Sequence, residues 1–205
     1  VNALSQEGLP PLALAAQAGQ IEACRLLLEL GAAPARKTRR GDATLVYLVA
    51  IGKTEAVPLL IEHSPPEVLR IALLTAACQR KPDLMRQILA RIPEPSAVFI
   101  EDADQRLSSA LLLMGEDELR LFEQAGFQMP LWVAAQFGRI ARMRELLATG
   151  VDVNQVATES GRETPLFLAV RNRQHEAARL LLESGADPNL RWMKRTDPTP
   201  LHEAA

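Results

Sequence analysis

Hydrophobic residues recur along this chain in two nested rhythms. At short range they fall three and four apart, as in Ile21, Cys24, Leu27 and Leu28, the spacing of one buried face of an α-helix. At long range the pattern itself repeats. Pro11-Leu12, Pro130-Leu131 and Pro165-Leu166 each open an Ala-rich apolar segment, and a leucine run and a glycine follow: Leu26-Leu27-Leu28 to Gly31, Leu146-Leu147 to Gly150, and Leu180-Leu181-Leu182 to Gly185. A stride in the range of roughly 20 to 50 residues marks repeat units too small to bury their own apolar faces. The pattern therefore predicts an all-α array of helix-turn-helix units, each covering the next.

Local chemistry punctuates each unit. Thr164 is placed to cap a helix through its hydroxyl, and Pro165 fits the first helical position, where its missing N–H is not needed. Gly19, Gly52 and Gly138 fall where first helices end in a left-handed residue, and Gly31, Gly126, Gly150 and Gly185 fall where second helices end. Pro58 lies inside an apolar segment, but with Thr54 as cap it falls in the first turn and leaves the helix intact.

Leu12 and Leu45 are 33 apart, as are Gly19 and Gly52, and Leu131 and Leu166 are 35 apart. From Leu45 to Leu73 the stride contracts to 28. A fourth unit, Arg106 to Gly126, lacks the Pro-Leu and Ala-Ala signals, which leaves the register of the third and fourth units open.

Thr164-Pro165-Leu166-Phe167-Leu168-Ala169, Thr199-Pro200-Leu201-His202-Glu203-Ala204-Ala205 and Gly185-Ala186-Asp187-Pro188-Asn189 carry a family resemblance. The first two match an opening Thr-Pro-Leu-His-x-Ala-Ala motif, the third a closing Gly-Ala-Asp-Val-Asn, and the chain resembles the ankyrin repeat family. The resemblance implies a helix-turn-helix repeat solenoid with short β-hairpin fingers: six repeats and a seventh that stops at Ala205. It also implies a single domain over 1–205, belonging to a longer array because Val1-Asn2-Ala3 looks like a closing strand. His202 matches the family's structural histidine.

Composition bounds the function. A net charge of −2 gives no global attraction to nucleic acid or membrane, and the charge-free stretch Gly8 to Ile21 is shorter than the ~20 apolar residues of a membrane span and contains two prolines. Arg outnumbers Lys in an Ala/Leu-rich chain, a bias of GC-rich bacterial genomes. Cys24 and Cys78 fall two repeats apart, on the order of 20 Å at helix packing distances, and are expected to be free, buried thiols in a cytoplasmic protein. His63, His175 and His202 share no metal-ligand spacing, and no phosphate loop or nucleophile motif accompanies them. Glu101, Asp102 and Asp104 read as a solvated turn. No catalytic residue, metal site or cofactor is expected.

The resemblance directs attention to the fingers and to the residue pair that ends each first helix. The finger after the first repeat carries Arg36, Lys37, Arg39 and Arg40 against Asp42; the one after the sixth carries Arg191, Trp192, Met193, Lys194 and Arg195. Arg and aromatic residues often dominate protein interfaces. The helix-end pairs are Gln17 and Ala18, Ala50 and Ile51, Gln136 and Phe137, and Arg171 and Asn172. Ile51 and Phe137 are apolar where water would favour polar side chains. Candidate partner contacts are thus Arg39, Arg40, Ile51, Gln136, Phe137, Arg171, Asn172, Arg191, Trp192, Met193 and Arg195.

The function expected is non-catalytic binding of a protein partner on a concave face and finger tips. An inhibitor or immunity factor for a bacterial toxin or effector, and a targeting arm of a larger enzyme, stay open as alternatives. Nucleic-acid binding is disfavoured, because five repeats set the basic fingers on the order of 50 Å apart.

Overall fold

The computed structural model describes residues 2–92, 106–156 and 163–190. Twelve helices occur among them, in two compact units, Val1–Phe127 and Gln128–Ala205. The first unit contains α1 (Pro11–Gln17), α2 (Ile21–Glu29), α3 (Thr44–Ile51), α4 (Val57–His63), α5 (Pro66–Cys78), α6 (Pro82–Leu89), α7 (Arg106–Leu113) and α8 (Glu116–Gln124). The second contains α9 (Leu131–Gln136), α10 (Ile140–Ala148), α11 (Pro165–Arg171) and α12 (His175–Glu183). Every odd-numbered helix is the first of a pair and every even-numbered helix the second.

First helices stack on first helices. In the first unit α1 packs on α3, α3 on α5 and α5 on α7, while α6 meets α8; in the second, α9 packs on α11 and α10 on α12. Leu12, Ala13 and Ala16 of α1, Leu45, Leu48 and Val49 of α3, and Ala72, Leu73, Ala76 and Ala77 of α5 are all buried. None of these short helices has an interior of its own. Each fully buried Leu contributes about 1.5–3 kcal/mol only because a neighbouring pair covers it.

The turns explain the contracted stride. Gly19, Gly52 and Gly138 end their first helices at φ of 69°, 78° and 63°, and Arg80 and Arg173 fill the equivalent places at φ of 53° and 58°. Arg80 thus stands in register with Gly52, and Leu73 with Leu45. The residues Pro66 to Ile71, which would otherwise form a finger, become extra helix at the front of α5, and Ser64-Pro65 alone links it to α4. The fourth unit is also a helix pair, and its second helix starts after Gly115, whose N–H donates to Glu118 Oε2 at 2.8 Å.

Two local expectations change. Thr54 is not the cap of α4: Ala56 holds that position without a side-chain bond, and Pro58 sits within the first two helical positions, where it removes no intrahelical bond. Cys24 is buried as expected, but Cys78 is only half-buried because it lies near the exposed end of α5. Thr164 does cap α11, its Oγ1 accepting from Phe167 N at 3.2 Å. The seventh repeat and the cluster of Glu101, Asp102 and Asp104 lie outside the described residues.

Candidate protein-binding surface

In the first unit the C-terminal ends of successive first helices are tied edge to edge. Tyr47 Oη donates to Gln17 Oε1 at 3.2 Å, Gln79 Nε2 donates to the Ala50 carbonyl at 2.9 Å, and Arg80 Nε donates to the Leu113 carbonyl at 3.3 Å. These bonds join α1 to α3, α3 to α5 and α5 to α7. Along the tied row Gln17, Ala18, Ala50 and Gln79 are exposed, and two large apolar side chains stand in water: Ile51 at 43% and Leu113 at 55%.

The finger after the first repeat is a tight hairpin. Lys37 and Ala43 form an antiparallel bridge, Thr38 N donates to Asp42 O at 2.8 Å, and Gly41 N donates to Thr38 O at 2.9 Å. Arg36, Lys37, Arg39 and Arg40 are exposed. Arg39 is also seated against the preceding loop: its N–H donates to the Gly8 carbonyl at 2.8 Å, and its side chain fills the space a Cβ on Gly8 would need.

A cleft of about 530 Å³ opens beside the row, lined by Gly52, Thr54, Pro58, Arg80, Lys81 and Leu84 among others. Its walls are the turn of the second repeat and the start of α6.

In the second unit Arg171 is held rather than loose. Its guanidinium lies 5.5 Å from the Phe167 ring centroid and Nη1 reaches Glu163 Oε1 at 2.9 Å. Asn172 turns back on its own helix, Nδ2 donating to the Leu168 carbonyl at 2.8 Å. Phe137 is half-buried. Gln136 departs from expectation at 5% exposure: all six residues of α9 are buried, so its side chain is covered instead of offered. Arg191, Trp192, Met193 and Arg195 lie outside the described residues.

Sequence reasoning missed Leu113, Gln79 and Arg80, because the register of repeats three and four was open. Pro82, at the front of a second helix, was the signal that could have fixed it.

Among the described residues no group of His, Cys, Asp and Glu could hold a metal ion, and no helix is long and apolar enough to cross a membrane. Burial pushes both thiols above their ordinary range, with a backbone hydrogen bond partly opposing this at Cys78. The reactive thiolate is disfavoured at both.

Residues 98–192 match a family model described as Ankyrin repeats (3 copies), and residues 7–39 match one described as Ankyrin repeat. Together these cover more than half of the 205 residues. Among solved structures, the human ASB11 ankyrin repeat domain aligns with a TM-score of 0.55 at 21% identity, covering 96% of this chain and 92% of that one. The ankyrin repeat domain of Bcl-3, a unique member of the IkappaB protein family, also aligns with a TM-score of 0.55, at 22% identity over 98% of this chain and 96% of that one. No curated protein matches. The chain belongs to the ankyrin repeat family, and its fold is the ankyrin repeat solenoid. Ankyrin repeats are generally protein–protein interaction modules and typically non-catalytic.

Proposed function

We propose that this chain binds a protein partner without catalysis, and that the contact lies on the ends of its first helices and on its fingers. One observation carries the reading: the tied row in the first unit holds Ile51 and Leu113 exposed on a scaffold that is already ordered. Such a surface loses little conformational entropy when a partner docks. Exposed leucines also occur on second helices, Leu26 at 56% and Leu182 at 49%. There the polar neighbours pair within one helix, as in Arg25–Glu22 and Arg179–Glu183.

In the second unit, Arg171 and Phe137 are the corresponding contacts, and Arg191, Trp192, Met193 and Arg195, which lie outside the described residues, are proposed as contacts from the sequence alone. A photo-crosslinking residue at Ile51, compared with one at Leu26, tests the assignment in native lysate. A protein adduct formed at position 51 and absent at 26 is expected; the reverse pattern would move the contact to the second helices.

A further inference from the structure

The cations of the first unit divide into two populations. On second helices, arginines sit in intrahelical ion pairs: Arg25 with Glu22, Arg86 with Asp83 and Arg120 with Glu116. On the turns and the finger, Lys53, Arg80, Lys81, Arg36, Lys37, Arg39 and Arg40 take part in no ion pair among the described residues. Lys53 and Arg80-Lys81 directly follow the first-helix ends that carry Ile51 and Gln79, and Arg80 Nε is bonded to the carbonyl of exposed Leu113. The Lys81 ammonium lies 3.5 Å from where a Cβ on Gly52 would be, which brings the turns of repeats two and three together. Nearby carboxylates compensate only in part: Asp83 is exposed but paired with Arg86, Glu118 is buried and accepts from Gly115 N–H, and Glu55 is exposed with no ion pair among the described residues.

We infer that the first unit takes an acidic peptide segment bearing a large apolar side chain. The apolar residue packs on Ile51, and its flanking carboxylates meet Lys53, Arg80 and Lys81, with Arg40 and its finger drawing the segment in. The charge is local: it belongs to the turns after two first helices and to one finger of a chain whose net charge is −2, so it selects a partner instead of attracting polyanions in general. This inference rests on the protein-binding reading proposed above and adds the chemistry of the partner.

The test is selection of a displayed random-peptide library on the full 205-residue chain, followed by titration of the synthesised winners. Winners rich in Asp and Glu around a Leu, Phe, Tyr or Trp are expected. Their affinity should fall about tenfold or more in Lys53→Glu/Lys81→Glu and in Ile51→Asp, with unchanged melting curves. Arg144→Glu, on an exposed position of α10, should leave it unaltered. Neutral or basic winners that Ile51→Asp abolishes would overturn the acidic partner while sparing the protein-binding face. Winners indifferent to both variants, or no winners, would overturn both. Oligodeoxythymidine bound more tightly than any peptide, and unaffected by Ile51→Asp, would overturn the inference in favour of a polyanion site.

Discussion

Asn154 Oδ1 accepts a hydrogen bond from the backbone N–H of Asp187 at 3.0 Å, across 33 positions of sequence. The first unit contains the same bond: Asn2 Oδ1 accepts from Ala33 N at 2.9 Å. The asparagine that closes one repeat thus holds the connector of the next. In Asn154→Ala the Asp187 N–H turns to solvent, and a loss of about 0.5–1.5 kcal/mol is expected by urea denaturation. Asn154→Asp keeps the acceptor and should cost less.

Burial separates adjacent leucines on α12. Leu181 is fully buried and Leu182 is 49% exposed. Leu181→Ala should destabilise by about 2–5 kcal/mol, and Leu182→Ala should stay within about 0.5 kcal/mol. Equal losses in chemical denaturation would refute the stacking of α12 on its neighbour.

The left-handed turns hold both relaxed and strained residues. Arg173 adopts φ of 58° in a place that Gly138 fills at 63°. Arg173→Gly relieves that strain against a more flexible unfolded chain, and a net gain of about 0.5–1 kcal/mol is expected. Gly138→Ala runs the other way, since its Cβ would also collide with the Gln174 side chain. A melting temperature raised in the first variant and lowered in the second is the outcome to look for.

Two threonines at helix starts have opposite roles. Thr164 Oγ1 caps α11, so Thr164→Val should cost about 1 kcal/mol. Thr44 sits one position later relative to its helix, and its buried Oγ1 has no partner. The near-isosteric Thr44→Val removes that unsatisfied hydroxyl and should stabilise by up to about 1 kcal/mol. Thermal unfolding of the two variants should shift in opposite directions.

On the proposed binding surface, Trp192→Ala and Ile51→Asp should each weaken partner capture without moving the melting curve. Unchanged capture in either variant removes that residue from the surface.

The helical repeat, the glycine turns and the Thr164 cap were legible in the chain because each rests on local chemistry: apolar spacing, backbone freedom at glycine, and a hydroxyl three residues before an N–H. The six-residue front of α5 was not. Pro65-Pro66 runs almost directly into the third unit and leaves no room for a finger, but how far the residues after it lengthen α5 depends on what α4 and α3 leave to be covered. Arg80 and Arg173 were equally hidden, since arginine carries no intrinsic preference for a positive φ, and packing on both sides imposes it.

The same division runs through the surface. Sequence alone determined that these units must stack, because none has enough apolar area to bury by itself, and it marked Ile51, Phe137 and the basic finger as departures from a solvated pattern. Tertiary structure decided which of those departures face water. It covers Gln136, holds Arg171 on Phe167 and Glu163, and lines Ile51 up with Leu113 through bonds between repeats. Exposure is a property of neighbours in space, and the neighbours of one repeat belong to the next.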